Sequence, residues 1–147
     1  MIISGASAAI FFLGAYTFST SSVEAQFIRT DEMPAKIEAL KDDVVARLSK
    51  CESAGAADPD GLIVFDTNHK ASIGRMQFQT ATVIQYYKKL YKQTITSKEA
   101  NVIAMDKEKA TQLAKDIIFN DGGIGNWYNC ANKLGLPAEI KILNKLD

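Results

Sequence analysis

The sequence predicts an α+β domain, mainly α, with one leading helix, a small β-hairpin and about five further helices. Three observations carry this. From 31 to 51 apolar residues recur in steps of three and four (Ile37, Leu40, Val44, Leu48, Cys51), which is one face of a helix. From 58 to 74 that period is lost. A turn, Asp58-Pro59-Asp60-Gly61, precedes the β-branched and aromatic run Leu62 to Phe65, and a second turn leads into Ala71 to Gly74. After residue 80 the helical spacing returns and holds to the C-terminus.

Each element has its own local reason. The first helix is expected at about 33–51, with Pro34 in its first turn, Thr30 or Asp31 as cap, and Gly55 to end it. The hairpin strands are expected near 62–66 and 71–74. In the next helix Val83, Tyr87, Leu90 and Tyr91 share a side. Thr96-Ser97-Lys98-Glu99 reads as a capping box opening a short helix to about Met105. Asp106 caps a further helix with Ala110, Leu113, Ile117 and Ile118 inward, and Asp121-Gly122-Gly123 ends it. The stretch NWYNCANKL is expected as one short helix stopped by Gly135. Pro137 opens the last helix, with Ile140, Leu143 and Leu146 inward.

A chain of 147 residues suits one domain. Lys+Arg and Asp+Glu are 17 each, so the clustered basic surface of a nucleic-acid binder is not expected. Residues 2–18 carry no charge, and Val23-Glu24-Ala25 has the small-x-small form of a cleavage site. Residues 1–25 are therefore expected to be an export signal and 26–147 the mature domain. A membrane anchor is the alternative if that segment stays uncleaved, although it is short of the ~20 residues a spanning helix needs. The expected location is secreted or cell-envelope. In an exported chain the two cysteines, Cys51 and Cys130, read as one disulfide. The single histidine, His69, has no metal-ligand spacing around it, and no metal or cofactor is expected.

Two stretches offer chemistry. Glu52 ends the first helix, where a carboxylate is slightly disfavoured by the helix dipole. With the hairpin as an opposite wall it could be partly desolvated, which is what lets a carboxyl keep its proton near neutral pH. Taken alone it reads as an ordinary solvated helix-end residue, since most Glu side chains are solvated. In Gly74-Arg75-Met76-Gln77, Gly74 permits close backbone approach or an unusual φ, and Gln77 both donates and accepts, as sugar hydroxyl and acetamido groups require.

The Glu52-Ser53 pair, the hairpin and Gly74-Arg75-Met76-Gln77 together resemble the lysozyme-like superfamily, most closely the soluble lytic transglycosylases. Those enzymes carry a catalytic Glu in a Glu-Ser pair at a helix end, then a Gly-Leu-Met-Gln stretch. The resemblance covers about residues 35–134. It departs from the family in a longer segment from Glu52 to Gly74 and in Arg75, which stands where the family has Leu. It implies a lysozyme-like fold, Glu52 as the catalytic acid, and Ser53, Gly74 and Gln77 at the substrate. It also implies a late aromatic near the cleft, for which Trp127 and Tyr128 are the candidates. The implied partner is the peptidoglycan glycan strand.

A second, looser likeness joins Asp66-Thr67 and Ser72-Ile73-Gly74 to the hairpin of phage-type lysozymes, with Asp66 as the second carboxylate and Ser72 as the hydroxyl at the substrate. Asp66 is as readily a turn-initiating residue. The two likenesses imply different reactions on the β-1,4 bond between N-acetylmuramic acid and N-acetylglucosamine. A transglycosylase needs Glu52 alone as acid and then base, because the nucleophile is the sugar's own hydroxyl. A hydrolase needs Asp66 as well. The tighter match favours the transglycosylase. A glycan-binding module on the same fold, without chemistry, is the rival from another class.

Overall fold

A computed structural model describes residues 32–65 and 69–146. The expected export segment, the cap candidates Thr30 and Asp31, and Asp66 lie outside the described residues. Helix α1 spans Met33–Glu52. The sheet follows, with β1 at Ile63–Phe65, β2 at Ala71–Ile73 and β3 at Phe78–Gln79. Then come α2 (Thr80–Leu90), α3 (Ser97–Met105), α4 (Lys107–Asp121), a 3-10 turn (Gly123–Trp127), α5 (Tyr128–Lys133) and α6 (Leu136–Leu146). The described part is thus α+β and mainly α, with a small antiparallel sheet, and its elements from Met33 onward form one compact unit. No described helix is long and apolar enough to cross a membrane.

The inward face of α1 is rotated from the expected one. Ile37, Val44 and Leu48 are buried, but Leu40 is 47% exposed, and Lys41, Val45 and Ser49 are buried instead. Because α4, α5 and α6 all pack on α1, its buried stripe is wider than a three-four count of apolar residues shows. Lys41 is tolerated there because its ammonium reaches Glu38 at 2.9 Å and lies 5.6 Å over the Phe119 ring.

The sheet has three strands in the order β1-β2-β3, where two were expected. The third is two residues long, too short to show an alternating period. Register then sorts the side chains. Ile63, Ile73 and Phe78 form one cross-strand row, and Val64, Ser72 and Gln79 form the next. Successive residues face opposite sides of a sheet, so the first row carries the buried Ile73 and Phe78 and the second turns to the other face.

Helix ends follow the expected local chemistry. Thr96 and Glu99 form a reciprocal capping box, and the Asp106 side chain accepts from the backbone N–H groups of Glu108 and Lys109. Ala110, Leu113, Ile117 and Ile118 of α4 are buried at the centre of the core. In α2 the buried pair is Val83 and Tyr86, while Tyr87, Leu90 and Tyr91 are half-buried against the core. The Tyr91 hydroxyl finds a partner in Asp116 of α4. The expected single helix of NWYNCANKL is two pieces, a 3-10 turn and then α5. Leu146, expected inward, is 56% exposed, because α6 ends past the core that Ile140 and Leu143 reach.

Cys51 and Cys130 form a disulfide that joins the last turn of α1 to α5 across 79 residues of sequence. In the chain-entropy picture a loop of that length stabilises by about 4–5 kcal/mol. The double variant Cys51→Ser/Cys130→Ser is expected to lose about 2–5 kcal/mol in urea unfolding. A midpoint equal to that of the parent would show that packing alone holds α1 against α5.

Candidate functional site

Glu52 is the last residue of α1, one position beyond the disulfide cysteine. It is partly buried, and its carboxyl makes no hydrogen bond or ion pair among the described residues. Burial alone pushes its carboxyl above the ordinary range, because the charged form loses solvent without gaining a partner. A group in that state holds its proton longer than a surface Glu and gives it up to a base brought beside it.

Two adjoining hollows meet at this carboxyl. One, of about 440 Å³, lies between the end of α1 and the sheet. Its sheet wall is the row Val64, Ser72 and Gln79, set there by register, with Gln77 and Thr82 beside it. The other, of about 330 Å³, runs past the disulfide to Tyr128 and Asn129. Glu52, Asn126 and Trp127 line both. Among the described residues Glu52 is the one carboxylate lining either hollow.

The turn from Gly74 to Gln77 is pinned on three sides. The Gly74 N–H donates to Leu62 O at 2.7 Å, which ties the turn to the hairpin. The Trp127 indole N–H donates to Met76 O at 2.7 Å, which ties it to the 3-10 turn. Gly74 itself sits against the end of α3, where a Cβ would lie 1.9 Å from Ala104 O. Its φ is +71°, so both the space and the backbone require glycine. Gln77 also has a positive φ, 49°, which is uncommon for a side chain of that size. Its backbone N–H and its side-chain amide both donate to Gly74 O, at 3.0 and 2.8 Å, and hold it in that conformation. The strained residue is therefore the one that lines the hollow.

The structure brings together Glu52, Ser72, Gln77 and Trp127 around the first hollow, and Tyr128, 70% exposed, at the second. Gly74 acts through the turn and lines neither. Ser53 is placed elsewhere. It is buried and lines a separate depression on the other side of α1, so the Glu-Ser pair does not put both side chains into one cleft. Neighbouring residues of a helix point about 100° apart, and Ser53, whose N–H still donates to Ser49 O at 3.0 Å, continues the face of Ser49 and not that of Glu52. Arg75 also turns away, giving two hydrogen bonds to Asp60 at 2.5 and 2.6 Å. Arg75 therefore lines neither hollow.

Asn126 and Thr82 were not foreseen. Asn126 donates to the Tyr86 hydroxyl at 3.0 Å and to Gly123 O at 2.8 Å, which fixes it between the two hollows. Its one sequence signal is its place before Trp127. Tyr86 is buried beneath it, where the helical count placed Tyr87 and Tyr91.

Fold and site define a mainly helical α+β domain with a desolvated carboxyl at a helix end, facing a three-stranded sheet. Comparison with protein-family models, with curated proteins and with solved structures finds no match for the chain.

Proposed function

We propose that the chain is a lytic transglycosylase of lysozyme-like fold. Its substrate would be the peptidoglycan glycan strand, cut at the β-1,4 bond between N-acetylmuramic acid and N-acetylglucosamine. The observation that carries this is Glu52, a carboxyl with no partner among the described residues and a raised pKa, at the junction of two hollows. Glu52 gives its proton to the leaving glycosidic oxygen as the C1–O bond breaks. The carboxylate so formed then takes the proton of the same sugar's own hydroxyl as that oxygen closes an anhydro ring on C1. The proton is returned and no water is consumed.

Side chains around Glu52 suit a sugar. Ser72, Gln77, Gln79, Thr82 and Asn126 present hydroxyls and amides to the first hollow, and Tyr128 presents an exposed ring beside the second. The disulfide suits an oxidising compartment, in keeping with export to the cell envelope.

Digestion of purified peptidoglycan followed by mass analysis of the muropeptides tests the proposal. Anhydro-ended products are expected. Reducing ends alone would replace the proposal with a hydrolase using Asp66, and binding without cleavage would replace it with a glycan-binding module. A second test uses the strained residue. Gln77→Gly relieves the positive φ while removing the amide from the hollow, so its unfolding free energy is expected to stay within about 1 kcal/mol of the parent. Its cleavage rate is expected to fall about tenfold, the loss of roughly one useful hydrogen bond. Retained cleavage would remove Gln77 from the substrate side.

A further inference from the structure

On the other side of α1, facing α4, lies a depression of about 540 Å³ that shares no lining residue with the two hollows at Glu52. We propose that this groove binds a short peptide bearing carboxylates, with Lys50 and Lys107 receiving the charge and Ser49 and Ser53 meeting the peptide backbone. A volume of that order holds a compact organic ligand, about the size of a drug molecule.

The hydroxyls come first. Ser49 and Ser53 are 6% and 4% exposed, both line the groove, and neither hydroxyl makes a hydrogen bond among the described residues. Among those residues no fully enclosed side-chain nitrogen or oxygen lacks a partner, so these two hydroxyls are not sealed into packing. They open on the groove. Thr111 across from them differs, because its hydroxyl already donates to Lys107 O and Glu108 O of its own helix. Two hydroxyls that reach the groove without an internal partner can each donate to and accept from a ligand with both N–H and C=O groups. A peptide backbone carries both. Val45, Ala46, Ala56 and Pro59 supply apolar surface for small side chains between those contacts.

Charge selects the ligand's ends. Four cations and one carboxylate, Asp42, line the groove. Arg75 is held by both oxygens of Asp60, and Lys115 is held by Glu38 and Asp42 at 2.8 and 2.6 Å. The ammonium groups of Lys50 and Lys107 make neither hydrogen bond nor ion pair among the described residues, and both residues are exposed. Lys107 also lies in the field of Asp60. Among the described residues lining the groove the one guanidinium fork, that of Arg75, is occupied, so it offers no bidentate recognition of phosphate. Ammonium groups remain, and these donate to a carboxylate as point charges.

Titration of the full chain with N-acetyl Ala-Ala-Glu-Glu, followed by amide NMR shifts, tests this. Saturable shifts are expected at Ser49, Ser53 and Thr111, and unchanged peptide affinity in Glu52→Gln separates the groove from the glycan cleft. The double variant Lys50→Ala/Lys107→Ala removes two exposed side chains and is expected to weaken binding at least about tenfold, with a flatter salt dependence. Ser49→Ala/Ser53→Ala is expected to weaken binding while leaving the unfolding midpoint equal or higher, since no internal hydrogen bond is lost. The amidated Ala-Ala-Gln-Gln analogue is expected to bind weakly. The proposal is overturned by absence of saturable shifts at millimolar peptide, by full affinity in the lysine double variant, or by inorganic phosphate binding as well as the peptide.

Discussion

Glu52→Gln is expected to lower glycan cleavage by about 10²–10⁴-fold, the range a positioned general acid supplies. It is also expected to raise stability slightly at neutral pH. Both follow from one environment. The Glu52 carboxyl has no partner among the described residues, and burial raises its pKa above 4.5. The folded state therefore binds this proton more tightly than the unfolded chain does. Its stabilising share is fully present below pH 4.5, declines as pH rises through the raised folded value, and is absent above it. A neutral amide of the same shape removes that slope. The gain at pH 7 stays below about 1 kcal/mol, because the side chain keeps part of its solvent. Urea midpoints of parent and variant across pH 4 to 8 read the slope, and muropeptide release reads the activity. Parent cleavage is expected to fall as pH rises through the Glu52 pKa, since the acid must hold its proton to act. A variant that cleaves at the parent rate would end the catalytic assignment. A variant that is inactive yet shows the parent's pH slope would end the electrostatic explanation of it.

Gly74→Ala is expected to be the most destabilising single substitution in the site. Gly55 and Gly74 share nearly the same backbone, with φ of +70° and +71°. A Cβ on Gly55 meets nothing within 4 Å, whereas one on Gly74 meets Ala104 O at 1.9 Å. Gly55→Ala therefore carries the left-handed backbone cost alone, about 1 kcal/mol. Gly74→Ala adds the displacement of a helix carbonyl, for a total of about 3–5 kcal/mol and a fall in Tm of more than about 10 °C. The turn that moves also carries Met76 O, the acceptor of the Trp127 indole, and Gln77 at the first hollow. Activity is expected to fall with stability in Gly74→Ala and to survive in Gly55→Ala. Equal Tm changes in the two variants would show that the α3 contact yields without cost.

How much of this was legible beforehand varied with the range of the interaction. Helix caps are local. Thr96 with Glu99, and Asp106 with the amides of Glu108 and Lys109, bond within three residues, and sequence spacing placed both. The buried residues of α4 were legible for a similar reason, since that helix is surrounded and its apolar stripe is unambiguous. The face of α1 was not, because a helix packed by several partners buries Lys41 and Ser49 along with its apolar residues. Nor was β3, which has two residues and exists only because β2 offers an edge to pair with.

The site divides the same way. Sequence alone identified Glu52 at a helix end, a glycine-led turn and two cysteines fit to be joined, because each depends on residue type and short spacing. Only the tertiary structure decided what surrounds the carboxyl. Register turned Ser72 toward it, the indole of Trp127 clamped the turn beneath it, and Asn126 arrived from 74 residues away to share both hollows. It also separated Ser53 from its neighbour, sending one side chain to the cleft and the other to the groove behind α1. The physical reason is that desolvation belongs to no single residue. It is produced by elements distant in sequence closing around one, and only their packing sets which charge loses its water.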